Sequence, residues 1–469
     1  LRWLATVVVA MMLAATACAS QRATLEWGPC APYAQTAAEK SLYADESVDC
    51  ARLTVPLDYA NPQGPAVSIG LLRHRATDPA HRIGSLVLNP GGPGSSGMTA
   101  AATLAGPAGK LAEQFDLVGF DPRGVHASEP RIRCRSDAEQ DAARASDTGG
   151  AADCLKKTSA EFLAHVGTRE VVRDLDALRA ALGDTKLTYV GYSYGTQIGS
   201  AYAEAYPDKV RAMVLDGAID PAQNLPQTLI AQTAGFQDAF TRFAQWCAKR
   251  PGCPLTGDAT AAFQRIARPP VSALPGRTLS FADAVTATEA ALYSRAQWPN
   301  LQQALEELAT THNGAKLLQL ADDYYQRDQN GHYSGAFDAY YAVRCVDYDR
   351  VTDRATIDAA HRQMRTGAPF LAGSSPDAHE LDTCSTWPVP PTSRPHRPSA
   401  PGLPKTLVIS TTHDPATPYR QGVSLAKDLN AALLTVNDVQ HAAFLKGNAC
   451  VDKATTTYLS TAIARTGNC

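Results

Sequence analysis

At 469 residues the chain has room for one large domain and a sizeable insertion. Hydrophobic residues at 45% and charged residues at 19% are the composition of a soluble globular protein. A formal charge of −3 leaves no basic excess, which argues against nucleic acid as a partner.

Arg2 precedes an apolar run from Trp3 to Ala15, followed by the small residues Ala15-Thr16-Ala17-Cys18-Ala19-Ser20. A basic start, a short apolar core and a small-residue cleavage zone predict an export signal over residues 1–19. The run is shorter than the ~20 apolar residues of a spanning helix, and no second such segment follows. Cys18 sits where a bacterial lipobox cysteine would sit, although Ala15 stands where such motifs place Leu. Lipid anchoring to the cell envelope and plain cleavage nearby both stay open.

From Leu53 onward, short apolar runs alternate with helical stretches, the pattern of a mostly parallel sheet with helices on both faces, an α/β class. Arg52–Pro56 and Val67–Arg73 alternate as an antiparallel edge pair. Strands are expected at Ser85–Asn89, Leu117–Phe120, Leu187–Gly191, Ala212–Leu215, Thr406–Ser410 and Leu433–Val436. Between them the strand pattern disappears, and Leu229–Lys249, Phe281–Tyr293, Leu301–Tyr325 and Ala355–Arg365 show helical spacing. The expected organisation is a first core part over 20–220, a helical cap over 221–404 and a second core part over 405–469.

The ten cysteines beyond Cys18 fall into close sequence pairs: Cys30 with Cys50, Cys134 with Cys154, Cys247 with Cys253, Cys345 with Cys384, and Cys450 with Cys469. In an exported chain this reads as five disulfides, neighbour pairing being the simplest of many connectivities. No Cys-x-x-Cys, His-Glu-x-x-His, EF-hand or Walker pattern occurs, so neither a metal nor an organic cofactor is implied.

Three motifs carry chemistry. Asn89-Pro90-Gly91-Gly92-Pro93-Gly94-Ser95-Ser96-Gly97 follows a strand and contains a literal G-x-G-x-x-G, with Asp121 at about the spacing of a dinucleotide site. Gly191-Tyr192-Ser193-Tyr194-Gly195 follows the strand Leu187–Val190 and opens the helical run Thr196–Tyr206, the strand–turn–helix setting of a nucleophile elbow. The α/β-hydrolase fold then requires an acid and a histidine, in that order. Asp414 follows the strand Leu407–Ser410, and His441 is the only histidine downstream of it. Ser193, Asp414 and His441 are therefore the expected nucleophile, orienting acid and base. His413 precedes the acid, and Asp438 is the rival acid. With that constellation complete, the glycine loop reads as an oxyanion loop, one N–H coming from Gly92 and the other from Tyr194.

The set Asn89-Pro90-Gly91-Gly92-Pro93-Gly94, Gly119-Phe120-Asp121-Pro122-Arg123-Gly124, Gly191-Tyr192-Ser193-Tyr194-Gly195 and Thr412-His413-Asp414-Pro415-Ala416-Thr417-Pro418 resembles the secreted actinobacterial tripeptidyl aminopeptidases. These belong to the proline-iminopeptidase branch of the α/β hydrolases. The resemblance implies a mostly parallel central sheet with an inserted helical cap, and an exported serine exopeptidase that releases short peptides from free N-termini. It implies a peptide substrate and no obligate protein partner. A carboxylesterase with the same triad, acting on an ester, is the alternative, and a non-catalytic binding protein on a hydrolase fold is a third reading. His126 departs from the family pattern, which has glycine there. Asp121 and Arg123 are expected to pair and brace the oxyanion loop. Counting residues from a free N-terminus needs a carboxylate at a fixed distance from Ser193. Asp347, two residues after Cys345, is the candidate, whereas Asp322 and Asp323 read as solvated helix-face charges.

Overall fold

The structure is a computed structural model that describes residues 25–146, 154–374 and 376–469. The expected export signal and Cys18 lie outside the described residues. Strands β1 (Val48–Pro56) and β2 (Ala66–His74) pair antiparallel along their whole length. The short apolar runs that follow form β3 (Gly84–Asn89), β4 (Phe115–Phe120), β5 (Leu187–Tyr192) and β6 (Val210–Asp216). After the insertion come β9 (Leu407–Thr411), β10 (Ala432–Val436) and β11 (Gly467–Asn468). The sheet order is β1-β2-β4-β3-β5-β6-β9-β10-β11, with every pairing from β4 to β11 parallel. β3, β4, β5 and β9 are buried at every position, which is why they read as unbroken apolar runs instead of alternating ones. All parallel strands point their carboxyl ends to one edge, and the loops leaving that edge carry the chemistry.

Between β6 and β9 no described residue adds a strand to this sheet. Helices Leu225–Cys247, Ala259–Ala267, Phe281–Leu292, Trp298–Thr311, Ala315–Tyr324, Ala336–Asp347, Arg354–Gly367 and Pro376–Ser385 occupy it. Part of the cap has its own core of Phe236, Phe240, Phe243, Phe263 and Phe370, with Phe240 and Phe370 stacked at 4.4 Å between centroids. Ala416 and Val439, from the loops after β9 and β10, join that core and seat the cap over the edge where those strands end.

Two expectations change here. The helical run Leu301–Tyr325 is two helices, broken where His312 turns left-handed at φ +53° ahead of Asn313-Gly314. The cap also holds a hairpin, β7 (Val271–Leu274) with β8 (Arg277–Leu279), turning at Pro275-Gly276. Strands this short carry too few alternations to be read against helical neighbours. The structure joins Cys30 to Cys50, Cys134 to Cys154, Cys247 to Cys253, Cys345 to Cys384 and Cys450 to Cys469.

Candidate active site

β5 delivers Ser193 into a turn with φ +53° and ψ −122°, after which helix Tyr194–Ala205 begins at once. A side chain at Gly191 would run into the carbonyl of Gly195, and one at Gly195 would sit 2.7 Å from Asn89 O, so the turn admits only glycine on both flanks. The strain holds because neighbours fix it: Ser193 N–H donates to Asp216 O at 2.9 Å, and the Thr196 hydroxyl donates to Ser193 O at 2.6 Å. Tyr194 is the first residue of the helix, so its N–H is among those with no intrahelical acceptor. Gly92, from the glycine loop, and Ser193 line the same cavity.

Asp414 follows β9 and is buried. Its Oδ1 accepts N–H bonds from Ala416 (2.9 Å) and Thr417 (2.8 Å), and the Thr417 hydroxyl donates to Oδ2 at 3.1 Å. His441 Nδ1 lies 2.9 and 3.0 Å from the two carboxylate oxygens. That contact makes Nδ1 the protonated nitrogen and leaves Nε2 as the acceptor. The imidazole sits edge-on to Tyr293 of the cap, 5.1 Å between centroids, and Gly217 closes its other side: a Cβ there would lie 3.1 Å from His441 Cε1. His441 and Ser193 face one cavity of about 270 Å³, walled on the cap side by Tyr293, Tyr324, Gln326, Phe337, Tyr340 and Arg344. The two rival groups are occupied elsewhere. His413 Nδ1 faces Asp238 at 2.9 Å, and Asp438 faces Arg295 at 3.4 Å.

One residue of this site escaped sequence reasoning. Asp216 ends β6 and is fully buried. Its Oδ2 accepts the N–H groups of Ala443 (2.8 Å) and Phe444 (2.7 Å), anchoring the loop just past His441. Burial pushes its pKa up to about 6, with the two N–H bonds and His441 pulling the other way. An acid at the carboxyl end of the strand next to the nucleophile's strand was the available signal.

Three expectations need correction. Asp347 does not line the cavity. It is buried behind it, accepting Thr168 N–H (2.8 Å), the Thr168 hydroxyl (2.6 Å), Gln197 Nε2–H (3.3 Å) and the Tyr194 hydroxyl (3.4 Å). Arg123 does not pair with Asp121. Its guanidinium forks onto Asp174 at 2.7 and 2.8 Å, while Asp121 accepts the Ser96 hydroxyl (2.7 Å) and the N–H groups of Met98 (3.2 Å) and Ala127 (2.9 Å). Asp121 thus braces the glycine loop by itself, and its carboxylate is spent doing so. Asp322, finally, is buried between Arg144 and Arg277, not solvated.

A family model described as the alpha/beta hydrolase fold matches residues 84–448. The chain belongs to the α/β-hydrolase family. Among its relatives in that family, the serine protease Hip1 of Mycobacterium tuberculosis is 46% identical across 93% of this chain and 88% of its own length. Carboxylesterase B of Mycobacterium tuberculosis is 43% identical across 87% of this chain and 83% of its own. The tripeptidyl aminopeptidase of Streptomyces lividans is 29% identical across 96% and 86%. This α/β hydrolase is a serine hydrolase. Among its described residues, no group of three or more His, Cys, Asp or Glu side chains is arranged to hold a metal ion.

Proposed function

We propose that this hydrolase is an exported peptidase that releases short peptides, tripeptides first among them, from free N-termini through an acyl-enzyme on Ser193. The observation that carries the reading is the pairing of His441 Nδ1 with both oxygens of Asp414 beside a cavity that His441 and Ser193 share. His441 Nε2 takes the Ser193 hydroxyl proton as Oγ attacks the scissile carbonyl, and the N–H groups of Gly92 and Tyr194 receive the oxyanion. The C–N bond breaks as the imidazolium gives that proton to the leaving amine. Water, deprotonated by the same nitrogen, then releases the acyl group and restores Ser193. Asp414 keeps the imidazole in this tautomer and stabilises its charged form.

The cap supports a chain end as substrate, because it walls the cavity on the side away from the sheet. With Asp347 excluded, ring faces of Tyr293, Tyr324, Phe337 and Tyr340 are the groups that can receive an ammonium, by cation–π attraction. The five disulfides accord with export. One observation favours a second reading, a carboxylesterase: no carboxylate lines the cavity among the described residues. The experiment that separates the two is turnover of a free-amine tripeptide anilide, its N-acetylated form and a short nitrophenyl ester. The peptidase reading expects the free-amine anilide to give the highest kcat/KM of the two anilides by about tenfold or more. Ester turnover with both anilides left intact contradicts it.

A further inference from the structure

His126 stands where the aminopeptidase pattern has glycine, and its backbone is left-handed at φ +39°, a conformation a histidine adopts only at a cost. The side chain is buried and joins three segments. Nδ1 lies 3.2 Å from Glu39 Oε1 on helix Ala37–Leu42, an ion pair bent off the hydrogen-bond line. Nε2 lies 3.1 Å from Gln326 Oε1. Gln326 follows helix Ala315–Tyr324, is itself left-handed at φ +53°, and lines the cavity that Ser193 and His441 share.

The amide oxygen of Gln326 is the atom that faces both neighbours. Ser334 Oγ accepts Ala336 N–H at 3.1 Å and donates to Gln326 Oε1, 2.7 Å away. His126 faces a carboxylate on one nitrogen and an amide oxygen on the other, and only the imidazolium, with a proton on each, serves both. Gln326 Oε1 therefore accepts twice, and its NH2 is left with two donors at the cavity wall. Glu39 is anchored in turn, Oε1 by the Thr99 hydroxyl at 3.1 Å and Oε2 by Gln35 and Thr36 N–H at 2.7 and 3.0 Å. The charged groups facing His126 are Glu39 and Asp121, with the Tyr43 hydroxyl beyond them on Thr99. Burial works against the charge on His126, but Glu39 and Asp121 outweigh it and hold the pKa above the usual histidine value.

We propose that Gln326 is a substrate-binding residue whose amide donates to a backbone carbonyl of the bound peptide, and that His126 is the positioning residue that clamps it. A peptide carries that carbonyl and a small acetate ester does not, so the pair sets a preference for peptide that glycine at position 126 would not provide. The inference rests on the peptidase reading above.

The test is kcat/KM for a tripeptide anilide and for nitrophenyl acetate, measured on the wild type, His126→Gly and Gln326→Ala from about pH 6 to about pH 9. One hydrogen bond to a neutral acceptor is worth about three- to tenfold, so the peptide-to-ester ratio should fall by that factor in both variants. A histidine whose pKa is raised on folding acts fully at low pH and loses its effect as pH rises through the raised value. The wild-type ratio should therefore decline more steeply with rising pH than the His126→Gly ratio, which keeps only the titration of the peptide's own α-amine, about pKa 7.7–8. Equal losses on both substrates, or an unchanged ratio, overturn the inference. A wild type that hydrolyses the ester and leaves the peptide intact overturns the peptidase reading, and this inference with it.

Discussion

Two buried carboxylates, Asp414 and Asp216, hold the loop that carries His441, and each is reached from a different strand. Asp414 spends its oxygens on the imidazole, two backbone N–H groups and a hydroxyl. Asp216 takes two N–H groups on one oxygen, while its other oxygen is buried with no partner. Its pKa, pushed up to about 6 by burial, is above the unfolded value of about 3.9. The folded state then binds the proton more tightly than the unfolded one. Its contribution to stability is most favourable below about pH 4 and is lost as pH rises through about 6. Asp216→Asn keeps an oxygen for the two N–H groups and removes the charge. Relative to wild type, its unfolding free energy should improve by about 2–3 kcal/mol between about pH 4 and pH 8, read from urea midpoints at each pH. A difference that does not change with pH contradicts this assignment. Ser193, Asp414 and His441 were singled out by a pentapeptide on a strand end and a fixed chain order, and the structure sets His441 against Asp414 beside the cavity that Ser193 lines. Asp216 was not, since an acid before a glycine also ends many ordinary strands, and only the sheet brings residue 216 against residue 443.

Helix Ala336–Asp347 is tied to helix Thr168–Ala181 and to the elbow helix Tyr194–Ala205 through one side chain, Asp347. Cys345 sits on the same helix and is joined to Cys384. What the sequence could not supply was direction. Position 347 lies on the face turned to the core helices, and Arg344 one turn earlier lines the cavity while pairing with Glu380 at 2.7 Å. Asp347→Ala takes the acceptor from the buried Thr168 N–H and from the Gln197 amide, while the Thr168 and Tyr194 hydroxyls keep each other at 2.8 Å, and should cost about 1–3 kcal/mol of stability. Peptide and ester turnover should fall together, because the loss loosens the helix behind Ser193 and touches no substrate subsite. A loss confined to free-amine peptides contradicts that placement. The parallel strands β3 to β6, β9 and β10 were legible, each apolar run matching its strand to within two residues, whereas β1 begins four residues before the expected start and β7, β8 and β11 were too short to be read. The broken helix at His312 was less so, although Asn313-Gly314 is a turn signal inside the run.

At the scale of the whole molecule, a mostly parallel sheet meets a helical cap over its carboxyl edge. Asp414 and His441 arrive on loops after β9 and β10, and the cap packs on those loops through Ala416 and Val439, with Tyr293 against the imidazole itself. The division into core and insertion was visible as the loss and return of strand pattern. The cap's interior was not visible, because helical spacing says which face is buried but not against which neighbour. Charged pairs such as Arg144 with Asp322 and Arg123 with Asp174 are likewise products of the assembled fold. The central claim is that Ser193 is the one nucleophile this assembly activates. A fluorophosphonate should label the intact protein once, the adduct should map to the peptide containing Ser193, and Ser193→Ala should abolish both labelling and turnover. Stoichiometric labelling at another residue, or turnover retained in Ser193→Ala, contradicts the account.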